Sequence, residues 1–251
     1  MELNYNDIFN LPQRCLVNKR LTKTFFSKNF DLSSSEKKVL NDEIVKMEWI
    51  GSLKPSNSNI PKFESKKYLF EEVQIMSCEV VNLQKVFNLI SEIFQKYIPY
   101  QIVLIIENSS EWILSLSDKR INLNDRTKRT VERYIHSPLL SKSEIVDSKF
   151  FKTISFDFIN KSNLQSVYQS YINSVIQLKS SLITGVFNEE NLERTEESLK
   201  IIQDIEKIES EIISLKNHIK YESQLNVRVS MNVKIQTKKQ ELKRLKETLS
   251  Q

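Results

Sequence analysis

Glycine is almost missing from this 251-residue chain, which holds only Gly51 and Gly185. A Walker loop, a GxGxxG dinucleotide turn and a GxSxG nucleophile elbow each need two or more glycines at fixed spacing. They need them because backbone must approach phosphate closely or turn through positive φ. None of these motifs can be written here, so a P-loop NTPase and a Rossmann enzyme are excluded.

Histidine is equally scarce. His136 lies in RYIHSPLL and His218 in a long helical pattern, and a catalytic histidine would need a nucleophile and an orienting carboxylate beside it. His136 reads as a strand-end residue and His218 as a solvated helix position. The two cysteines, Cys15 and Cys78, stand far apart with no CxxC pattern, which argues for a reduced, cytoplasmic compartment and against a disulfide framework or structural zinc. Cys78 falls in an apolar run and reads as core. No catalytic residue, metal or cofactor is expected.

Long apolar runs are also lacking. The longest, IVLII at Ile102 to Ile106, is far below the ~20 residues of a membrane span. The start MELNYNDIFNLP carries acids early and does not read as a signal peptide. No membrane association is expected.

What is present fits a globular chain: 39% hydrophobic residues, with 13 Phe and 8 Tyr. The length suits one sizeable domain plus an extension, or two small domains. A net charge of +5 and a pI near 9.0 permit an anionic partner without demanding one.

SSSEKKVLNDEIVKMEWI opens with a serine cap and spaces Val39, Leu40, Ile44, Val45 and Met47 for a helix over about 34–46. KMEWIGSLK reads as a short strand closed by Gly51, KPSNSNIPKFESK as a loop, and Lys67 to Val80 as a half-buried strand. Asn82 to Ile98 spaces Val86, Leu89, Ile90, Ile93 and Phe94 along one face of a helix that stops at Pro99. QIVLIIE and EWILSLSDKR are strands joined by the turn NSS, and TVERYIHS is a third. This order predicts an α+β fold: a small, mostly antiparallel sheet with helices on one face, followed by a long C-terminal helical extension. The expected divisions are an α+β domain over 1–160, a connecting helix and linker over 161–188, and a helical tail over 189–251.

In the tail, Ile201, Ile205, Ile208, Ile212, Leu215 and Ile219 step by fours and threes as a coiled-coil seam, which Leu242, Leu245 and Leu249 resume. Between them LNVRVSMNVKIQ alternates strictly, which suits a strand, while its flanks and the lack of turn residues suit a continued helix. Residues 189–222 hold ten acids against five bases, net −5, and 223–251 seven bases against two acids, net +5. Opposite halves attract when antiparallel, so a helical hairpin or an antiparallel dimer is predicted.

Two basic windows are candidate contacts for nucleic acid or an acidic partner. No acid occurs from Ile8 through Phe30, and VNKRLTKTFF there offers Asn18, Lys19, Arg20 and Lys23, with Val17, Leu21, Phe25 and Phe26 as anchors. DKRINLNDRTKR offers Lys119, Arg120, Arg126, Lys128 and Arg129 on an outward loop, partly neutralised by Asp118 and Asp125. The basic tail segment QTKKQELKRLK faces DNA or, better matched, the acidic half of the tail. An E-x-K spacing at Glu64 and Lys66, with Asp42 or Glu43 as a distant acid, is the one trace of a metal-dependent nuclease, but it falls in a loop.

The opening FNLP…VNKR, the junction Ile98-Pro99-Tyr100, YIHSPLL and the late YESQLNVRVSMNVKIQ resemble a bacterial domain-of-unknown-function family, number 4391, over nearly the whole chain. The resemblance implies a setting beside helicases and DNA methyltransferases in defence or restriction-like loci, and it favours helix for the alternating stretch. It supplies no active-site residues. Together these readings predict a non-enzymatic accessory subunit of a DNA-processing antiviral-defence or restriction-like complex. The helical tail would dock a protein partner, a helicase, a methyltransferase or a second copy. A metal-dependent nuclease subunit and a purely structural homo-oligomer are the alternatives.

Overall fold

A computed structural model of the chain describes residues 4–126, 128–143, 148–187 and 192–250. Its elements in order are α1 (Tyr5–Phe9), β1 (Leu16–Leu21), α2 (Lys23–Asn29), α3 (Ser34–Asp42), β2 (Ile44–Leu53), α4 (Pro55–Ser58), β3 (Phe63–Glu64), β4 (Leu69–Phe70) and β5 (Val73–Val80). Then come α5 (Leu83–Tyr97), β6 (Gln101–Glu107), β7 (Glu111–Ile121), β8 (Arg129–His136), β9 (Leu140–Ser141), α6 (Ser148–Ile154), α7 (Leu164–Thr184), α8 (Leu192–Tyr221) and α9 (Leu225–Leu249). The chain divides into two compact units, Met1–Val175 and Ile176–Gln251. The expected linker boundary at 188 lies outside the described residues.

The first unit is built on a seven-stranded sheet of order β1-β2-β5-β6-β7-β8, with β9 also paired to β7. All pairings are antiparallel except β5 with β6, which α5 joins as a parallel crossover. β5 and β6 are buried almost throughout: β6 carries the continuous apolar run Ile102 to Ile106, while β5, expected to be half-buried, buries Gln74 and Ser77 among its apolar residues because it is a central strand. The fold is α+β.

Local signals set the helix ends. Ser33 and Glu36 form a reciprocal capping box at the start of α3. Burial would push the Glu36 carboxyl up, but hydrogen bonds from Ser33, Tyr97 and Lys96 outweigh it and hold the group below the usual carboxylate range. α5 begins at the cap Asn82, whose side chain accepts from Lys85 N, and ends in extended backbone at Ile98 before Pro99.

Several elements differ from expectation: the expected loop KPSNSNIPKFESK holds α4 and β3, and the expected strand Lys67 to Val80 is divided into β4 and β5. The first helix ends at Asp42 instead of near 46, because Ile44 and Met47 are core positions of β2, which pairs on both sides. Gly51 does not close that strand but sits inside it. A Cβ there would collide with Leu11 Cδ1 and lie 3.2 Å from the Cys15 carbonyl oxygen, so the position needs glycine for close approach.

One face of the sheet carries the main core. There Phe26, Leu40, Met76, Cys78, Ile90 and Phe94 come together with Ile102, Leu104 and Ile106 of β6, under α2, α3 and α5. The opposite face is covered too: Trp112 of β7 stacks on Phe151 of α6 at 6.2 Å, and Phe9 of α1 meets Tyr171 of α7 edge-on at 6.1 Å. The Tyr168 hydroxyl, fully buried on α7, accepts from Ser117 N at 2.9 Å and lies 3.1 Å from the Ile102 carbonyl oxygen.

In the second unit α9 runs back along α8 after a break at residues 222–224. Ile208, Ile212 and Ile235 form a buried cluster joined by Leu215, Ile219, Leu242 and Leu245. Ile205 and Leu249 are also buried, while Ile201 is half-buried. Glu209 pairs with Lys246 at 3.0 Å and Glu211 pairs with Lys238, so the acidic helix faces the basic one. The alternating stretch is helix. On a helix, strict alternation generates two opposite stripes: Val227, Met231 and Ile235 are half-buried to buried, and Leu225, Val229 and Val233 are exposed.

Candidate nucleic-acid interface

The basic window VNKRLTKTFF folds as edge strand β1 followed directly by α2. The turn between them is fixed by Thr22, whose hydroxyl accepts from Phe25 N at 3.1 Å and caps the helix. Capping sets the helical phase: Phe26 is fully buried against Phe94 at 4.9 Å, and Phe25 is left 43% exposed. Leu21 is half-buried and packs on the core, and Val17 is half-buried. Asn18 adopts φ 47° where the β1–β2 register shifts, so it occupies a bulge.

Lys19 and Arg20 follow that bulge beside a groove of about 580 Å³. Lys19 stands opposite Trp49 on the groove's face, while Arg20 stands opposite Glu48, so strand alternation turns its side chain to the other face of the sheet. The groove's apolar lining includes Phe25 and Phe30 of α2 and its C-terminal cap, Trp49 of β2, Met76 of β5, and Pro99 and Tyr100 of the α5–β6 junction. Lys54 and Glu72 complete its polar edge. Lys19, Arg20 and Lys54 have no ion-pair partner among the described residues. Lys23 is tied down instead, its Nζ donating to the Asn41 carbonyl at 2.7 Å.

The groove's walls are held from beneath. Trp49 Nε1 donates to Gln74 Oε1 at 2.7 Å, and Gln74 Nε2 donates to Glu72 Oε2 at 2.6 Å. The Ile98-Pro99-Tyr100 wall is gripped by Lys119, whose Nζ donates to the carbonyls of Ile98 and Tyr100 at 3.0 and 2.6 Å.

Lys119 therefore does not reach the surface. It is 1% exposed on β7, its side chain turned inward where an outward contact was expected. Burial, with Arg129 nearby, holds its amine well below the ordinary lysine range. The rest of that second basic window is largely committed to neighbours. Arg120 pairs with Glu132 at 3.3 Å, Lys128 with Asp125 at 3.4 Å, and Arg129 with Glu71 at 3.5 Å. Arg126 is exposed. Thr127, within the same window, lies outside the described residues. The structure thus brings Lys19 to a groove, turns Arg20 to the other face of the sheet, and does not bring the second window to the groove.

A second cavity, of about 280 Å³, is polar and includes Glu48 of β2, Glu79 of β5 and Glu107 of β6. Its charges are largely matched: Lys46 lies 3.0 Å from Glu48, Lys142 lies 2.6 Å from Glu107, and the Tyr5 hydroxyl also donates to Glu107. Burial first, then the Glu107 carboxylate, pushes the Tyr5 phenol up. Among the described residues no group of three or more His, Cys, Asp or Glu side chains is arranged to hold a metal ion. Glu64 is exposed on the two-residue strand β3 and pairs with Lys62 at 3.2 Å, away from that cavity.

His136 ends β8 and meets Phe87 edge-on at 5.5 Å, and His218 is exposed on α8. Cys78 is fully buried, and burial pushes its thiol up. Among the described residues no helix is long and apolar enough to cross a membrane.

Lys19 was legible in the sequence as a candidate contact, but the groove was not. Trp49 and Tyr100 signalled only a strand and a junction, because their convergence depends on sheet pairing between distant segments.

The family model described as Domain of unknown function (DUF4391) matches residues 9–242. Comparisons with curated proteins and with solved structures gave no match.

Proposed function

Taking as premise that the chain belongs to the DUF4391 family, we propose that it is a non-enzymatic accessory subunit of a bacterial DNA-processing complex. Its first unit contacts DNA and its helical hairpin docks a protein partner. The observation that carries this reading is the placement of Lys19 and Lys54, without ion-pair partners among the described residues, on one aromatic groove. Cations on a common surface are the means by which proteins engage phosphate.

The hairpin supplies the second contact. Leu225, Val229 and Val233 are 74%, 55% and 61% exposed and stand one turn apart along α9. Arg228 and Lys234 are exposed beside them. An apolar stripe flanked by cations suits an acidic amphipathic helix of a partner. A helicase or methyltransferase encoded nearby is the proposed source of that helix, within a defence or restriction-like system.

The test is a mobility-shift assay at low salt together with pull-down of the products of its own operon. Retarded DNA and a co-purifying neighbour support the reading. Failure of both sinks it.

A further inference from the structure

We infer that the groove beside β1 takes the unstacked bases of single-stranded DNA, with little sequence preference. The inference rests on the DNA-contact reading above and specifies its ligand. Phe25 and Tyr100 are 43% and 36% exposed, and Trp49, half-buried, lines the same groove. In a duplex the base faces are covered by their neighbours, so an aromatic lining has something to stack on only where a strand is single.

The polar groups of the groove are poorly placed to read base edges. The Trp49 N–H is already consumed by Gln74 and by the Gly51 carbonyl at 3.1 Å, leaving the ring to offer its face. Gln74 is 2% exposed and committed at both ends, to Trp49 and to Glu72. Glu72 also accepts from Ser52 at 3.4 Å. Lys19 and Lys54 remain to follow a sugar–phosphate backbone along the rim. Stacking plus backbone charge, without edge recognition, is the chemistry of sequence-tolerant single-strand binding.

The walls are prepared for such a ligand before it arrives. Thr22 sets Phe25, Gln74 sets Trp49, and Lys119 sets the Pro99-Tyr100 wall, each by a hydrogen bond inside the first unit. Little ordering of side chains is left to occur on binding.

The test compares a 20-nucleotide single strand with the duplex of the same sequence, with binding followed by tryptophan fluorescence. Trp112 is 1% exposed, so stacking reports through Trp49. The expected result is tighter binding of the single strand, quenched fluorescence, and similar affinity for strands of different sequence. Phe25→Ala and Tyr100→Ala should each weaken it by about five- to 150-fold, with unfolding curves confirming that each variant folds. Equal binding of strand and duplex without quenching would overturn the inference and leave the DNA-contact reading standing. Binding of neither would overturn both.

Discussion

Lys119 Nζ lies 2.6 Å from the Tyr100 carbonyl oxygen, in a position only 1% exposed. With the Ile98 carbonyl at 3.0 Å it has two acceptors, which match the two N–H bonds of a neutral amine better than the three of an ammonium. Lys119 thereby joins β7 to the wall of the groove.

This lysine predicts a pH dependence of stability. Its folded pKa is depressed, chiefly by burial, so the unfolded chain binds a proton that the folded chain lacks. Stability should therefore rise with pH from the depressed pKa up to about 10.4, the ordinary lysine value, with a slope of at most about one proton. Urea unfolding across that range should show the slope in wild type and a flatter curve for Lys119→Met. Parallel curves would mean that Lys119 stays charged in the fold.

Gly51→Ala should destabilise the first unit by about 1–3 kcal/mol, because the added methyl meets Leu11 and the Cys15 backbone. Leu11→Ala should cost stability alone yet relieve part of the Gly51→Ala defect, so the double variant loses less than the sum. Strictly additive effects in denaturant melts would show that Leu11 is not the obstacle.

Removing the Ser33 side chain breaks the capping box on α3. Ser33→Ala should cost about 1 kcal/mol. The cost should shrink in acid, because Glu36, held low by its hydrogen bonds, contributes stability that disappears as pH falls through its folded pKa. Equal costs at neutral and acid pH would separate Glu36 from the cap.

Within the hairpin, Ile235→Ala should cost about 2 kcal/mol or more and expose α9 to proteolysis before the first unit. Glu211→Lys should loosen the same helix pair by setting like charges together, and adding Lys238→Glu should restore it. A double variant as labile as the single would show that the ion pair does not set the pairing.

Much of the fold was legible from local pattern. α5 announces itself by apolar spacing and the stop at Pro99, and α8 and α9 by their seam and opposed charges. Residues 16–30 were less so, since a bulged edge strand and a seven-residue helix carry little periodicity. Lys119 misleads for a different reason. Ser115, Ser117 and Lys119 occupy alternate, buried positions of β7, so the strand places a lysine where its pattern calls for an inward residue. Only the carbonyls supplied by the α5–β6 junction make that tolerable. The groove itself joins α2, three strands and that junction, and no single window contains it.

The most direct test of the DNA-contact claim is the salt dependence of single-strand binding by wild type and by the Lys19→Ala, Lys54→Ala double variant. Each phosphate-bound cation removed should lower the steepness of log K against log salt by about 0.7, so the double variant should fall short by about 1.4. An unchanged slope, or no binding by the wild type at low salt, would contradict the account.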